Sequence, residues 1–144
     1  MNETLRIDPS LRFSTVHEIA GACTIGKYKI LDGQEFLINI YGLQTNPEQW
    51  RTPEKFIPER FDPTSPYFLT PDGKRRHPMS YGPFLGGKRV CLGKTFAENI
   101  GKSILAIIFG QIDFDFEDPS IRFDKPASTF FHPQPNYRMI VKSY

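Results

Sequence analysis

Hydrophobic and polar positions alternate with a period of two over much of the first third of the chain, which is typical of strands with one buried face. Short strands are predicted over residues 14–19, 22–25, 28–31 and 34–41. The last is the clearest, because large apolar residues occupy every second position from Phe36 to Ile40. The Gly-Lys pair at 26–27 predicts a turn and the Asp-Gly pair at 32–33 predicts a hairpin, so small antiparallel sheets are expected over 14–41.

The period changes to that of a helix later in the chain. Phe96, Ile100, Ile104 and Ile107 recur at intervals of three or four residues, which predicts one long helix over 94–110, ended by Gly110. Within the terminal segment 112–144, strands are predicted at 112–116, where apolar and acidic residues alternate, and at 136–141.

The first seven residues predict a short helix that ends at Asp8-Pro9, because the residue before a proline is pushed out of the α conformation. A helix of fewer than two turns is unstable unless other structure holds it. We therefore expect this chain to have lost an N-terminal portion, although Asn2 offers an N-cap for a native start.

Prolines punctuate residues 46–83 so densely that a long helix or a central strand is excluded there. The same region contains aromatic side chains available for burial: Trp50, Phe56, Phe61, Tyr67 and Phe68. An ordered, irregular meander is therefore predicted. The fold class that follows is α+β, with small antiparallel sheets, this meander and one long helix.

Composition narrows the classes of function. The chain has 144 residues, the size of one domain, and a net charge of +2, which excludes a dedicated nucleic-acid binder. The longest apolar stretch, 104–109, is far too short to span a membrane, and no signal peptide is present. We expect a soluble chain, with membrane attachment only through a missing N-terminal anchor.

The chemistry of greatest interest lies in residues 84–93, where Cys91 ends a glycine-rich loop directly before the long helix. Cys23 lies too far away to form a CxxC metal site with it. The positive end of the helix dipole favours a thiolate. Glycines let the backbone approach a bulky ligand, and Arg89 supplies a charge for a nearby anion. This combination suits a metal cofactor that carries carboxylates.

Two other interpretations of this loop remain open. One treats Cys91 as a small buried hydrophobic residue in a turn. The other treats the Gly-Lys-Thr stretch at 93–95 as the end of a phosphate loop. That motif fits poorly, because Gly87 lies one residue too far upstream and no apolar strand leads into the loop.

The loop resembles the F-x-x-G-x-R-x-C-x-G haem loop of cytochrome P450 monooxygenases. The matching positions are Phe84, Gly87, Arg89, Cys91 and Gly93. Leu85 departs from the family pattern, in which a small or polar residue is usual. Residues 3–6 resemble the family's E-x-x-R motif and residues 58–61 its P-E-R-F motif. The resemblance covers essentially the whole chain and implies the C-terminal part of the mainly helical cytochrome P450 fold.

The two upstream motifs predict a structural cluster. Glu3 and Arg6 are three residues apart and share one face of a helix. With Arg60 delivered from the meander, a buried Arg–Glu–Arg cluster is expected. Its role would be to lock the meander beneath the loop and not to catalyse.

The resemblance also implies a function, the insertion of one oxygen atom from O2 into a small apolar organic substrate. Cys91 would be the axial thiolate ligand of haem b. Arg89 and His17 would bind the haem propionates, and Phe84 would shield the sulfur. Gly87 and Gly93 would complete the cofactor-binding loop.

Partners are implied in the same way. Electrons would come from NADPH through a separate reductase on the proximal face, and a full-length parent would reside at the endoplasmic reticulum membrane. The basic run 74–77 is either a solvated turn or, with Lys88 and Lys94, a docking patch for that reductase. Residues 13–14 and 129–130 fall near segments that line substrate pockets in the family. The alternative function is a truncated, catalytically silent chain that binds haem weakly or not at all.

Overall fold

The computed structural model describes residues 1–118 and 138–143 of the chain. Helices in this part are α1 (Asn2–Ile7), α2 (Ile40–Thr45) and α3 (Lys94–Gln111). Its strands form separate antiparallel pairs: β1 (His17–Glu18) with β4 (Glu35–Phe36), β2 (Cys23–Ile25) with β3 (Tyr28–Ile30), and β5 (Ile112–Phe116) with β6 (Met139–Ser143).

The first strands are shorter than the sequence predicts. Of the stretch 14–19, only His17 and Glu18 form a ladder, opposite β4. Ser14 is buried, and its hydroxyl accepts a hydrogen bond of 2.9 Å from the backbone N–H of Ile38. The backbone N–H of Ser14 in turn donates to the carbonyl of Ile38 at 2.9 Å, so a side-chain bond and a backbone bond together join these residues outside the ladder.

The hairpin turn of this region lies at residues 26–27 and not at 32–33. β2 and β3 pair directly across the first turn, whereas β3 and β4 belong to different sheets. The Asp32 carboxylate accepts a hydrogen bond of 2.6 Å from the N–H of Gly21, at the base of the β2–β3 hairpin. The predicted hairpin at 32–33 is therefore wrong, because that turn crosses between two sheets.

The strand predicted over 34–41 is also wrong in its second half, because helix α2 begins inside it. Asn39 is the N-cap of α2, and its side-chain oxygen accepts a hydrogen bond of 2.8 Å from the N–H of Gly42. This contact satisfies one of the N–H groups that a first helical turn leaves unpaired. Ile40, expected in the strand, is buried in the first turn of the helix.

Residues 46–83 form the irregular segment that the prolines predict. Its helical structure consists of single 3-10 turns, each of which begins at a proline: Pro58–Phe61, Pro66–Phe68 and Pro78–Ser80. Proline suits a first helical position, because the N–H that it lacks would be unpaired there. Trp50 anchors the segment and is 1% exposed, with its ring 6.0 Å from that of Phe61.

Helix α3 extends to Gln111, so Gly110 does not end it, and β5 follows directly. The apolar repeat predicts a buried face, yet no α3 residue is buried against the described part of the chain. Near the end of the helix two rings pack together, where Phe109 and Phe114 have centroids 5.3 Å apart. β6 begins three residues later than predicted, and positions 136–137 lie outside the described residues.

The most deeply buried side chains are largely polar. Trp50 is buried, but so are Glu3, Arg6, Gln44 and Arg60, none of which is more than 2% exposed. Buried charges destabilise a fold unless they are paired and hydrogen-bonded. The centre of this structure therefore depends on how these groups satisfy one another.

Candidate functional site

A buried ion cluster joins α1 to the meander. Arg6 donates two hydrogen bonds of 2.8 Å to the two carboxylate oxygens of Glu3. Arg60 donates from Nε to Glu3 Oε1 at 3.1 Å, and the N–H of Ile57 donates to the same oxygen at 2.9 Å. The predicted Arg–Glu–Arg cluster is confirmed.

The remaining guanidinium donors bond to backbone carbonyls of the meander and of α2. Arg6 donates to the carbonyls of Gln44 at 2.9 Å and Lys55 at 3.1 Å. Arg60 donates to the carbonyls of Arg51 at 2.5 Å and Thr52 at 2.7 Å. Because the carbonyls come from an irregular segment with few ladder bonds of its own, the two arginines fix its path.

Gln44 is a structural residue that sequence reasoning missed. Its side-chain amide donates to the carbonyls of Leu5 at 2.9 Å and Arg6 at 3.1 Å, and its oxygen accepts from the N–H of Gly82 at 3.1 Å. Gly82 lies two residues before Phe84. One buried side chain therefore connects α1 to the chain entering the loop 84–93.

Arg76 departs from the interpretation of the basic run 74–77 as a solvated turn. Its guanidinium lies 4.2 Å from the Trp50 ring centroid and donates to the carbonyls of Tyr67 at 2.9 Å and Arg60 at 2.5 Å. This one side chain is therefore held against the meander, and the docking patch for a reductase stays a prediction. Its neighbours differ, since Arg75 is exposed and Lys74 forms an exposed ion pair of 2.6 Å with Asp72.

Electrostatics reflect this crowding of positive groups. Burial lowers the pKa of the Arg60 guanidinium, and the nearby Arg6 lowers it further, while Glu3 opposes both effects. Burial and the adjacent Arg60 also lower the pKa of Arg76. Arginine stays protonated in proteins, so the cluster keeps its positive charges and depends on the Glu3 carboxylate.

The loop 84–93 is closed by a backbone hydrogen bond of 2.9 Å from the N–H of Cys91 to the carbonyl of Phe84. Within it, Gly87–Arg89 form a 3-10 turn. Leu85 and Gly87 have positive φ angles of 59° and 63°. Glycine adopts this conformation readily and leucine does not, so the departure from the family pattern at Leu85 falls on a strained position.

Cys91 is exposed, which contradicts its interpretation as a small buried hydrophobic residue. Its carbonyl accepts a hydrogen bond of 3.2 Å from the N–H of Lys94, the first residue of α3. Gly93 is the N-cap, and a Cβ atom there would lie 3.9 Å from the sulfur, an ordinary contact. Cys91 thus lies just before the N-terminal end of an 18-residue helix.

The segment that enters α3 is a turn and not a strand. A phosphate loop is fed by a strand, so the structure gives that interpretation no support. Of the exposed side chains near Cys91 in the sequence, three are apolar, Val90, Leu92 and Phe96, and three are cationic, Lys88, Arg89 and Lys94. Apolar side chains beside a potential metal ligand suit a flat apolar group, and the cations suit carboxylates that such a group carries.

The two candidate propionate ligands differ in their surroundings. Arg89 is exposed and has no hydrogen bond or ion pair with the described residues. His17 stacks on Phe36, with centroids 5.5 Å apart, and its buried Nε2 lacks a hydrogen-bond partner in the described part. No hydrogen bond joins His17 to the loop there.

Of the residues predicted near a substrate pocket, Phe13 forms an isolated bridge with Asn39, and residues 129–130 lie outside the described residues.

A family model described as Cytochrome P450 matches residues 1–141. The chain belongs to the cytochrome P450 family. It is 38% identical over 111 residues to cytochrome P450 4V2 of Mus musculus, covering 77% of this chain and 20% of that protein. It is 36% identical over 118 residues to 9-beta-pimara-7,15-diene oxidase of Oryza sativa subsp. japonica, covering 82% and 22%. The chain therefore spans about a fifth of the length of these relatives.

Solved structures agree with this cytochrome P450 assignment. A retinoic-acid-bound cyanobacterial enzyme, CYP120A1, superposes with a TM-score of 0.80 at 26% identity, over 99% of this chain and 32% of that one. A zebrafish cytochrome P450 with abiraterone gives 0.77 at 21% identity over the same shares, which supports the fold alone. The predicted fold, the C-terminal part of the cytochrome P450 architecture, is confirmed.

Membership of the cytochrome P450 family implies a haem cofactor, and the residues present fit one. A haem held by a thiolate needs an accessible sulfur, an apolar surface and donors for its carboxylates. Cys91 provides the first, and the exposed side chains beside it provide the second. The Nε2 of His17 and the guanidinium of Arg89 have no hydrogen-bond partner among the described residues. Both are therefore available as donors to the carboxylates.

No helix within residues 1–118 and 138–143 is both long enough and apolar enough to cross a bilayer. No group of three or more His, Cys, Asp or Glu side chains is placed there to hold a metal ion. A porphyrin supplies four of the ligands of its own iron, so a single protein thiolate suffices for this cofactor.

Proposed function

We propose that this chain forms the proximal, haem-binding portion of a monooxygenase. Bound haem would supply the activation of O2 for insertion of one oxygen atom into an organic substrate. The Cys91 thiolate would hold the haem iron, and electron donation from a thiolate is what would assist the chemistry of the bound haem. The position of Cys91, exposed at the start of α3 and beside apolar side chains, is the observation that carries this proposal.

The chain's own residues orient and insulate the cofactor. The loop hydrogen bond to Phe84 and the N-cap at Gly93 hold Cys91 in place, and Arg89 and His17 would donate to the propionates. The side chain of Phe84 would exclude water from the sulfur. Gly87, with its positive φ, keeps side-chain bulk away from the loop.

Substrate and electron source are proposed more broadly. The relatives' names describe an oxidase of a diene and, in Catharanthus roseus, a (+)-vincadifformine 19-hydroxylase that is 34% identical over 124 residues. A small, largely apolar organic substrate is consistent with both names. We infer that electrons come from NADPH through a separate reductase, as the family resemblance implies.

The test is to add haem to the chain and to record the spectrum of the reduced carbon monoxide complex. We expect the red-shifted Soret band of thiolate ligation, and we expect Cys91→Ser to abolish it. Cys23 is also an exposed cysteine, so Cys23→Ser is the matched control and should keep the band. A band that survives Cys91→Ser would overturn the ligand assignment.

A second candidate function is a catalytically silent chain that binds haem weakly or not at all. It is favoured by the exposure of Cys91 and of the side chains beside it, because no described residue faces them to hold the second side of a haem. A wild-type chain that gives no haem spectrum supports this candidate. Turnover of any substrate by these 144 residues alone would exclude it.

A further inference from the structure

Met79, at the end of the meander, packs against the backbone of the loop 84–93. A Cβ atom added at Gly86 would lie 3.2 Å from the Met79 Sδ atom and 3.4 Å from its Cε atom. The backbone of Gly86 is extended, with φ −163° and ψ −178°, so its conformation does not require glycine. Glycine is favoured there for space, because the end of the Met79 side chain occupies the place of a side chain at position 86.

The meander holds Met79 in place from its own side. Met79 belongs to the 3-10 turn Pro78–Ser80, and its N–H donates to Nδ1 of His77 at 3.1 Å. The N–H of His77 donates in turn to Oε1 of Gln49 at 2.8 Å. The next residue, Ser80, is buried, which fixes the turn further. A change at the end of the Met79 side chain must therefore be accommodated by the loop or by withdrawal of that side chain.

The loop has little structure of its own with which to resist such a change. None of the residues 84–93 is fully buried. A backbone bond of 2.9 Å from Cys91 to Phe84 joins the two ends, and the N–H of Leu85 donates to the carbonyl of Gly82 at 3.0 Å. The contact between Met79 and Gly86 is therefore a substantial part of what holds the loop against the meander.

Methionine is the side chain at this contact that an oxidant can alter. Met79 is 38% exposed, so a small peroxide can reach it. When hydrogen peroxide reacts with the sulfur, the O–O bond breaks, one oxygen bonds to Sδ and the other leaves as water. The sulfur loses two electrons and the peroxide gains them. The product is a polar sulfoxide, which disrupts apolar contacts and which methionine sulfoxide reductases return to the thioether.

We propose that Met79 is a reversible oxidation site that controls the loop 84–93. The thioether packs on Gly86 and holds the loop, whereas the sulfoxide is larger and prefers water, so it leaves the contact and the loop opens more often. Because Cys91 closes this loop, oxidation of Met79 weakens the hold on any group bound to the sulfur of Cys91. The inference does not rest on haem binding, since the loop can be observed in the chain alone.

The test measures amide hydrogen exchange of residues 84–93 in the full chain, before and after mild treatment with hydrogen peroxide. Dithiothreitol added after the peroxide returns sulfenic acids and disulfides to thiols and leaves the sulfoxides, and peptide mapping measures the sulfoxide at Met79. We expect exchange in the loop to become about fivefold faster after oxidation. In Met79→Leu the same treatment should leave exchange within about twofold of the untreated variant.

The matched control is Met139→Leu. Met139 is 44% exposed, similar to Met79, and lies on β6 opposite Phe116. This variant should respond to peroxide as the wild type does. Equal responses of Met79→Leu and Met139→Leu would overturn the proposal, because oxidation elsewhere would then loosen the loop. A sulfoxide at Met79 that leaves loop exchange unchanged would also overturn it, and so would a Met79 that stays reduced while Met139 is oxidised.

Enzymatic repair gives a second measurement that needs no substitution. The oxidised wild-type chain is treated with methionine sulfoxide reductases for both sulfoxide epimers. Loop exchange should return to within about twofold of its value before oxidation as the sulfoxide at Met79 disappears. Exchange that stays fast after repair contradicts the proposal, because the change would then come from irreversible damage at another residue.

Discussion

Two neighbouring regions of this molecule use their side chains in opposite ways. In residues 1–83 the buried groups are largely charged or polar, and Glu3, Arg6, Gln44 and Arg60 form a hydrogen-bonded cluster. In the loop and α3, residues 84–111, the side chains are mostly apolar, and none of α3 is buried against the described part. The buried side chains of the first region bond to one another, whereas the second region leaves apolar side chains exposed.

This difference separates residues that stabilise the fold from residues available for a ligand. A buried ion cluster is a weak source of stability while intact, but removal of one member strands the others without compensation. Removal of a residue from an exposed apolar surface costs little stability, because such residues contribute little to folding until something covers them. Mutations should therefore have large effects on stability in the first region and small ones in the second.

The largest expected effect is that of Glu3→Gln. The substitution removes the carboxylate that accepts hydrogen bonds from Arg6 and Arg60 and leaves both guanidinium groups buried without a counter-charge. We expect a loss of about 3–5 kcal/mol in the free energy of unfolding, measured by urea titration. Glu59→Gln, a neutralisation on the exposed side of the same region, should cost no more than about 0.5 kcal/mol. Similar losses for the two variants would contradict the buried-cluster argument.

A smaller loss is expected for Arg76→Gln. The variant removes donors to the carbonyls of Tyr67 and Arg60 and the cation above the Trp50 ring. Relief of the repulsion with the Arg60 side chain offsets part of this, so we expect about 1–3 kcal/mol. Arg75→Gln, at the adjacent exposed position, is the control and should change the unfolding free energy by less than about 0.5 kcal/mol. A loss below about 0.5 kcal/mol at both positions would mean that Arg76 is solvated like its neighbours.

The sequence predicts the parts of this structure that depend on local spacing. Glu3 and Arg6 pair because a three-residue separation places them on one helix face, and the prolines of 46–83 prevent regular structure wherever that segment packs. The choice of Arg60 as their partner follows from the family motif and not from spacing. Cys91 at the helix start likewise follows from the loop and the apolar repeat after it.

Contacts between distant residues are what the sequence could not supply. Nothing in a run of four basic residues tells which one turns inward, and Arg76 does so because Trp50 lies beneath it. Gln44 was missed because the pattern from Phe36 to Ile40 was assigned to a strand that ends before it. Asn39 was the available signal, since asparagine is among the favoured N-cap residues.

Tyr81 lies between the two regions and responds to both. Burial raises the pKa of its hydroxyl to about 12, with contributions from Glu98 of α3 and from Glu3 of the cluster. A raised pKa means that the neutral form is favoured by folding, so this stabilisation is complete below the ordinary value of 10.0 and is lost as pH rises through about 12. Tyr81→Phe should therefore reduce the alkaline loss of stability between these pH values, measured as urea midpoints across that range. Equal alkaline losses of stability in the wild type and in Tyr81→Phe would contradict this role of Tyr81.

The smallest expected effect is that of Ile107→Ser, which tests whether the apolar side chains of the second region contribute to stability. Ile107 is 58% exposed, so its loss removes little buried apolar area and should lower the unfolding free energy by no more than about 0.5 kcal/mol. Trp50→Ala, in the first region, should cost about 3–5 kcal/mol in the same urea titration. A large cost at Ile107 would mean that the α3 face is covered in solution, and a dependence of that cost on protein concentration would identify a second copy as the cover. A small cost means that this part of the α3 surface is free to receive another segment of protein.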